Sequence, residues 1–181
     1  MRRSAGGFTL IEAALTMVIV GTGVLAMVSA QQAYHIKNDW AQRTGTAQML
    51  ANEIRELTLV MPHHDPITGS DTLGVESNEI VGGSADPEAD VVNYDDLDDF
   101  TGGGGAVTFS PPINGLRLPI ADLDQWAQEV SVENVLPESL GGAAYPIGST
   151  DMMRVTVTVT YQSPQMAAPE DVTSMTWVVS R

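Results

Sequence analysis

The chain has 181 residues, a formal net charge of −15 and no cysteine. An acidic balance of this size repels phosphates, so we expect the bulk of the chain to bind no nucleic acid. The absence of cysteine excludes disulfides, thiolate metal sites and cysteine nucleophiles. The length is enough for one modest domain with its own hydrophobic core behind an N-terminal segment.

The N-terminal region combines a short basic start with a long apolar run. Arg2 and Arg3 precede the sequence Gly-Gly-Phe-Thr-Leu-Ile-Glu at 6–12, and residues 13–30 carry no charge. From Phe8 to Ala30 a helix would be about 35 Å long, enough to cross a hydrocarbon core of about 30 Å. The two arginines predict a cytoplasmic N-terminus and export of everything after the apolar run.

Residues 6–12 closely resemble the processing site of class III signal peptides, which occurs in type IV prepilins and type II secretion pseudopilins. The resemblance implies that a prepilin peptidase cuts between Gly7 and Phe8 and that the new amine is methylated. It implies a structural subunit, a minor pilin or minor pseudopilin, and not an enzyme. The implied partners are the peptidase, other pilins through the N-terminal helix, and an inner-membrane assembly platform. The implied location is the inner membrane with an exported head, and then a filament in the periplasm or at the cell surface.

Glu12 is a carboxylate inside a membrane-length apolar segment. Such a charge is costly, so it is a functional candidate by default. One interpretation, which the resemblance also gives, is that Glu12 neutralises the Phe8 amine of a neighbouring subunit and sets the axial register of assembly. The other is a glutamate that extends toward the lipid headgroups and has no role in assembly.

Other functions remain open for the same N-terminal region. An ordinary secretory signal would be cleaved after the small residues Val28, Ser29 and Ala30. A plain single-pass anchor would present an exported binding or adhesion domain, and an exported enzyme is a further alternative. The sequence holds no G-x-S-x-G, P-loop or H-E-x-x-H motif.

A second periodic pattern follows the apolar run. Apolar residues recur every three, four or seven positions, which predicts one face of a helix, and they are Ala33, Ile36, Trp40, Ala47, Leu50, Ile54, Leu57 and Met61. Pro62 ends the pattern, so we predict one helix from Phe8 to about Leu59. We expect this stripe to pack under the head along its length, with a bend tolerated at Gly45.

The first part of the head, a Gly-rich loop over 69–105, contains an acidic segment at 93–100. Four carboxylates, those of Asp95, Asp96, Asp98 and Asp99, surround one leucine. We expect a solvated acidic loop anchored by Tyr94 and Phe100. The alternative is a calcium site, because clustered oxygen ligands suit hard cations, although the EF-hand spacing is absent. We otherwise predict no cofactor.

Alternating apolar and polar residues predict four strands in the rest of the head, at 106–109, 128–135, 154–161 and 174–180. Turn-forming residues separate them, so a consecutive antiparallel sheet over about 106–180 is the simplest topology. Packed on the helix, it gives an α+β fold of the kind the pilin resemblance implies. The predicted organisation is a leader at 1–7, a membrane or filament-core helix at 8–30, an amphipathic extension at 31–61 and a head at 62–181.

Overall fold

The structure is a computed structural model of the chain and describes residues 9–63, 91–101, 105–145 and 149–180. Its first element is helix α1, Leu10–Leu59, which is continuous through Gly45. The predicted C-terminal end at Leu59 is confirmed. The helix closes with a tighter turn in which the Val60 N–H donates to the Leu57 carbonyl at 3.4 Å, and Pro62 has no N–H with which to continue it.

The chain divides into two compact units, Met1–Arg43 and Thr44–Arg181. The boundary between them lies within α1. In the first unit the apolar side chains of α1 are exposed, and an 18-residue window of the helix has a mean hydropathy of 2.0, enough in length and composition to cross a membrane. Ile36 and Trp40 are also exposed, at 71% and 68%. The expectation that they pack under the head was therefore wrong, because the buried stripe of α1 begins only at Ala47.

The second unit contains a four-stranded antiparallel sheet in the order β1-β2-β3-β4. The strands are β1 (Val107–Phe109), β2 (Trp126–Asn134), β3 (Met152–Tyr161) and β4 (Glu170–Ser180). All four predicted strands and their consecutive order are confirmed. Strand β4 begins four residues before the predicted start, with an irregular register opposite Val159 and Thr160.

The core lies between α1 and one face of this sheet. In β3 the valines at 155, 157 and 159 are buried and the intervening threonines are partly exposed. Ala47, Leu50, Ala51, Ile54 and Leu57 belong to the same buried cluster from the side of α1. Full burial of each valine or leucine side chain stabilises the fold by about 1.5–3 kcal/mol. This packing confirms the predicted α+β class.

Polar contacts connect α1 to the described part of the head besides the apolar packing. The fully buried Gln128 donates from Nε2 to the Leu50 carbonyl at 2.8 Å, and its Oε1 accepts the Ile113 N–H at 2.8 Å. Further along the helix, Glu53 Oε2 accepts the Gly115 N–H at 2.6 Å. Both contacts attach the 113–115 segment to the second unit's part of α1.

Candidate functional site

The first candidate site is the N-terminal end of α1, where Thr9 and Glu12 bind each other. Glu12 Oε2 accepts hydrogen bonds from the Thr9 N–H and the Thr9 hydroxyl, each at 3.0 Å. In return the Glu12 N–H donates to Thr9 Oγ1 at 3.4 Å. This reciprocal arrangement is a capping box, which satisfies N–H groups that the first helical turn leaves without intrahelical partners. Glu12 also lies where the helix dipole favours a negative charge.

The capping box has a sequence signature that our sequence reasoning missed. Thr9 is followed three residues later by Glu12 and then by apolar residues, which is the S/T-x-x-E pattern of a helix start. Helix capping is therefore a third role for Glu12, besides pairing with a neighbouring subunit's amine and extension toward the lipid headgroups. It also leaves the pairing role possible, because a carboxylate has two oxygens and the capping bonds use only Oε2.

The processing residues Gly7 and Phe8 lie outside the described residues. Cleavage between them, and the pairing of Glu12 with a Phe8 amine, therefore stay predictions.

The remaining polar side chains in the apolar run bond to their own helix. Thr16 Oγ1 donates to the Glu12 carbonyl at 2.7 Å, Thr22 Oγ1 to the Val18 carbonyl at 2.9 Å and Ser29 Oγ to the Leu25 carbonyl at 2.9 Å. Such bonds to a preceding carbonyl satisfy the hydroxyl donor within the helix, so the hydroxyl needs no partner from an apolar environment. Between Phe8 and Ala30, Glu12 is the one charged residue in the sequence, so it dominates the electrostatics of this segment.

The second candidate site is the acidic segment, which the structure places in the interior. Asp96, Asp98 and Asp99 are each only 3% exposed, so the expected solvated loop was wrong. The aromatic anchoring is confirmed, since the Tyr94 and Phe100 rings meet edge to face with centroids 5.1 Å apart. Leu97 and Phe100 are fully buried in the core, and the Leu97 N–H donates to the Pro62 carbonyl at 3.1 Å. The apolar members of the segment thus draw the intervening aspartates inside.

Backbone amides of the segment compensate for the burial of two of its carboxylates. Asp96 Oδ1 accepts the N–H groups of Asp98 and Asp99, at 2.9 and 3.3 Å. Asp99 Oδ2 accepts those of Asp95 and Asp96, at 2.8 and 3.2 Å. The Asp96 carboxylate therefore stabilises the backbone at 98–99, and the Asp99 carboxylate stabilises the backbone at 95–96. Burying such groups without these partners would be costly.

Three of the four predicted calcium candidates come together, because Asp96, Asp98 and Asp99 each offer an oxygen within 4.8 Å of the others. Asp95 does not belong to this group. Burial, a hydrogen bond with the Asp98 side chain and the charges of Asp98 and Asp99 raise the pKa of Asp96 to about 9. A cation at these oxygens would have to displace that proton. A proton and a cation would therefore compete for these oxygens, and the calcium assignment stays an alternative.

Among the described residues, the predicted site residues lie at the N-terminal end of α1 and in the acidic segment. No family model, no curated protein and no solved structure matches this chain.

Proposed function

We propose that this chain is a type IV pilin-like structural subunit, a minor pilin or a minor pseudopilin. A prepilin peptidase removes residues 1–7, and the remaining chain is held in the inner membrane by the first part of α1 with its N-terminus in the cytoplasm. The subunit then enters a helical filament that serves a pilus or a type II secretion system.

The observation that carries the proposal is that one helix serves two purposes. Residues 10–30 of α1 form an exposed apolar surface of membrane-spanning length, and residues 47–57 of the same helix supply one side of the core of the head. A domain that merely used an anchor would need only a linker between anchor and head. A subunit that carries its apolar helix into a filament benefits from a head built directly on that helix.

Glu12 fits this proposal because it is the one charge in the apolar run. In a filament core the carboxylate would be buried, and burying an unpaired charge costs several kcal/mol. The cleaved amine of Phe8 in a neighbouring subunit is a partner of opposite charge that cleavage itself creates. A pair of this kind favours one axial register among otherwise equivalent apolar contacts, as buried polar residues do in coiled coils.

The experiment is to express the chain with a prepilin peptidase and an assembly system, and to determine the N-terminus of the mature protein by mass spectrometry. We expect N-methylated Phe8 at the N-terminus and incorporation of the subunit into sheared filaments. A mature N-terminus at Gln31 would show an ordinary secretory signal and overturn the proposal. Correct cleavage followed by retention in the membrane would favour the anchored binding domain instead.

A further inference from the structure

A polar groove in the second unit lies away from both candidate sites. In β2, Gln128 and Val130 point to the core that contains α1, so alternation places Ala127 and Glu129 on the opposite face of the sheet. The groove opens on that face and has a volume of about 330 Å³, within the range of small-molecule sites. Both strand and loop residues line it, and the polar members are Thr108, Ser110, Asp124, Gln125, Glu129, Thr160 and Gln162.

The lining of the groove decides which ligands suit it. Hydroxyl, amide and carboxylate groups surround it, and its lining residues include no lysine, arginine or histidine. Together with the acidic charge of the chain this disfavours anionic ligands. Among the described residues, Asp124 and Glu129 belong to no group of three acidic or histidine side chains that converge on one metal position. Organic cations and small ligands rich in hydroxyl groups both remain. Five of the seven polar lining residues carry neutral hydroxyl or amide groups, and these favour the hydroxyl-rich ligand because its groups both donate and accept hydrogen bonds.

One wall of the groove is already fixed in position. The Tyr161 hydroxyl donates to Gln125 Oε1 at 2.7 Å, and the Gln162 N–H donates to the Gln125 carbonyl at 2.8 Å. These bonds orient the Gln125 amide and leave its NH₂ group as a donor. The Trp126 and Tyr161 rings pack behind this wall with centroids 4.9 Å apart. A wall that is ordered before the ligand arrives reduces the entropy cost of binding.

We propose that this groove binds a small neutral saccharide. The carboxylates of Asp124 and Glu129 accept hydrogen bonds from sugar hydroxyls, and the Gln125 amide donates to them. Ala127 and Pro169 provide an apolar strip for the C–H face of a sugar ring. The site would give the exported head an affinity for glycan surfaces, independently of whether the helix assembles into a filament.

The test uses the full chain in detergent micelles, labelled with 5-fluorotryptophan. The sequence contains three tryptophans, so ¹⁹F NMR gives three signals to assign by single Trp→Phe variants. Trp126 borders the groove, and its buried ring packs on Tyr161 behind the Gln125 wall, so its signal reports ligand binding through that wall. Trp40 and Trp177 do not border the groove and serve as internal controls. The probes are cellobiose, maltose and N,N′-diacetylchitobiose, with spermidine as a cationic comparison. We expect at least one disaccharide to shift the Trp126 signal saturably and leave the other two in place.

The matched variants are Glu129→Ala in the groove and Glu138→Ala, which removes the same charge from an exposed position outside it. Losing a hydrogen bond to a charged group predicts a Kd raised about tenfold for Glu129→Ala and an unchanged Kd for Glu138→Ala. The proposal is overturned if no disaccharide shifts Trp126, if Glu129→Ala binds as tightly as the parent chain, or if only spermidine shifts the signal.

Discussion

Gln128 Nε2 donates to the Leu50 carbonyl at 2.8 Å, and this buried hydrogen bond joins the second strand of the sheet to α1. The same side chain accepts the Ile113 N–H and donates to the Ile113 carbonyl at 3.2 Å. Helix, strand and loop are therefore connected through one amide. The head is organised around α1 by this contact as well as by apolar packing.

Replacing Gln128 by methionine keeps the side-chain length and removes all three hydrogen bonds. The Ile113 N–H and carbonyl lose this buried partner, so we expect the free energy of unfolding to fall by about 1–3 kcal/mol. Urea unfolding of the chain in detergent measures the change. Gln48→Met makes the same chemical change at an exposed position of α1 and should leave the unfolding midpoint unchanged. Equal effects of the two substitutions would show that the buried amide has no special role.

The acidic cluster predicts an unusual dependence of stability on pH. Because the pKa of Asp96 is raised from 3.8 to about 9, the folded head retains a proton that the unfolded chain releases. The stability that the folded state gains by binding this proton is fully present below about pH 4. It is lost as the pH rises toward about 9. Thermal unfolding in buffer with a chelator should therefore give a lower melting temperature at pH 8 than at pH 6, with uptake of about one proton on folding.

Asp96→Asn tests the origin of this slope, because asparagine mimics the protonated acid and still accepts through Oδ1. We expect the variant to lose most of the pH dependence and to be more stable than the parent chain at pH 8. Asp122→Asn, at an exposed position whose positive φ asparagine tolerates, is the control and should keep the slope. A slope that survives in Asp96→Asn would contradict the assignment. Millimolar calcium that raises the melting temperature of the parent chain, and not of Asp96→Asn, would favour the calcium alternative.

Gly7→Val tests the predicted processing site. A β-branched side chain at the cleavage position should block the peptidase, so the precursor accumulates with residues 1–7 attached. Intact-mass measurement of membrane protein distinguishes the two forms. Gly6→Val makes the same substitution one residue earlier, and we expect it to be processed. Normal maturation of Gly7→Val would contradict cleavage between Gly7 and Phe8.

The sequence predicted the fold where local pattern and tertiary environment agree. Val155, Val157 and Val159 alternate with threonines, and a half-buried sheet requires this alternation. The start of β4 was missed because Glu170, Asp171 and Thr173 are polar and the register there is irregular. The stripe at Ile36 and Trp40 has the right period for a core, but periodicity does not tell what covers a helix face.

The candidate sites were also only partly predictable, because a sequence pattern does not show which residues are buried by distant parts of the chain. Four aspartates in five residues are typical of a solvated loop, and only the tertiary burial of Leu97 and Phe100 takes Asp96 and its neighbours inside. Gln128 shares the alternation of Val130 and Val132, so its inward orientation was readable from the sequence, while its partners at Leu50 and Ile113 were not. At Glu12 the charge was identified from the sequence, but the local bond to Thr9 was overlooked.

The central claim, that the charge of Glu12 pairs with a neighbour's amine during assembly, has to be separated from helix capping. Glu12→Gln keeps a capping-box residue and removes the charge, Thr9→Val removes the cap and keeps the charge, and Glu12→Val removes both. The measurement is the ratio of each tagged, cleaved subunit in sheared filaments to its level in the inner membrane.

We predict that Glu12→Gln and Glu12→Val are exported and cleaved normally but fail to enter filaments, because the amine of Phe8 is left unpaired in the filament core. Thr9→Val should assemble nearly as well as the parent chain, since loss of a cap costs only about 1 kcal/mol. Incorporation of Glu12→Gln at the parent level, with loss of assembly in Thr9→Val, would contradict the pairing role and leave Glu12 as a helix cap.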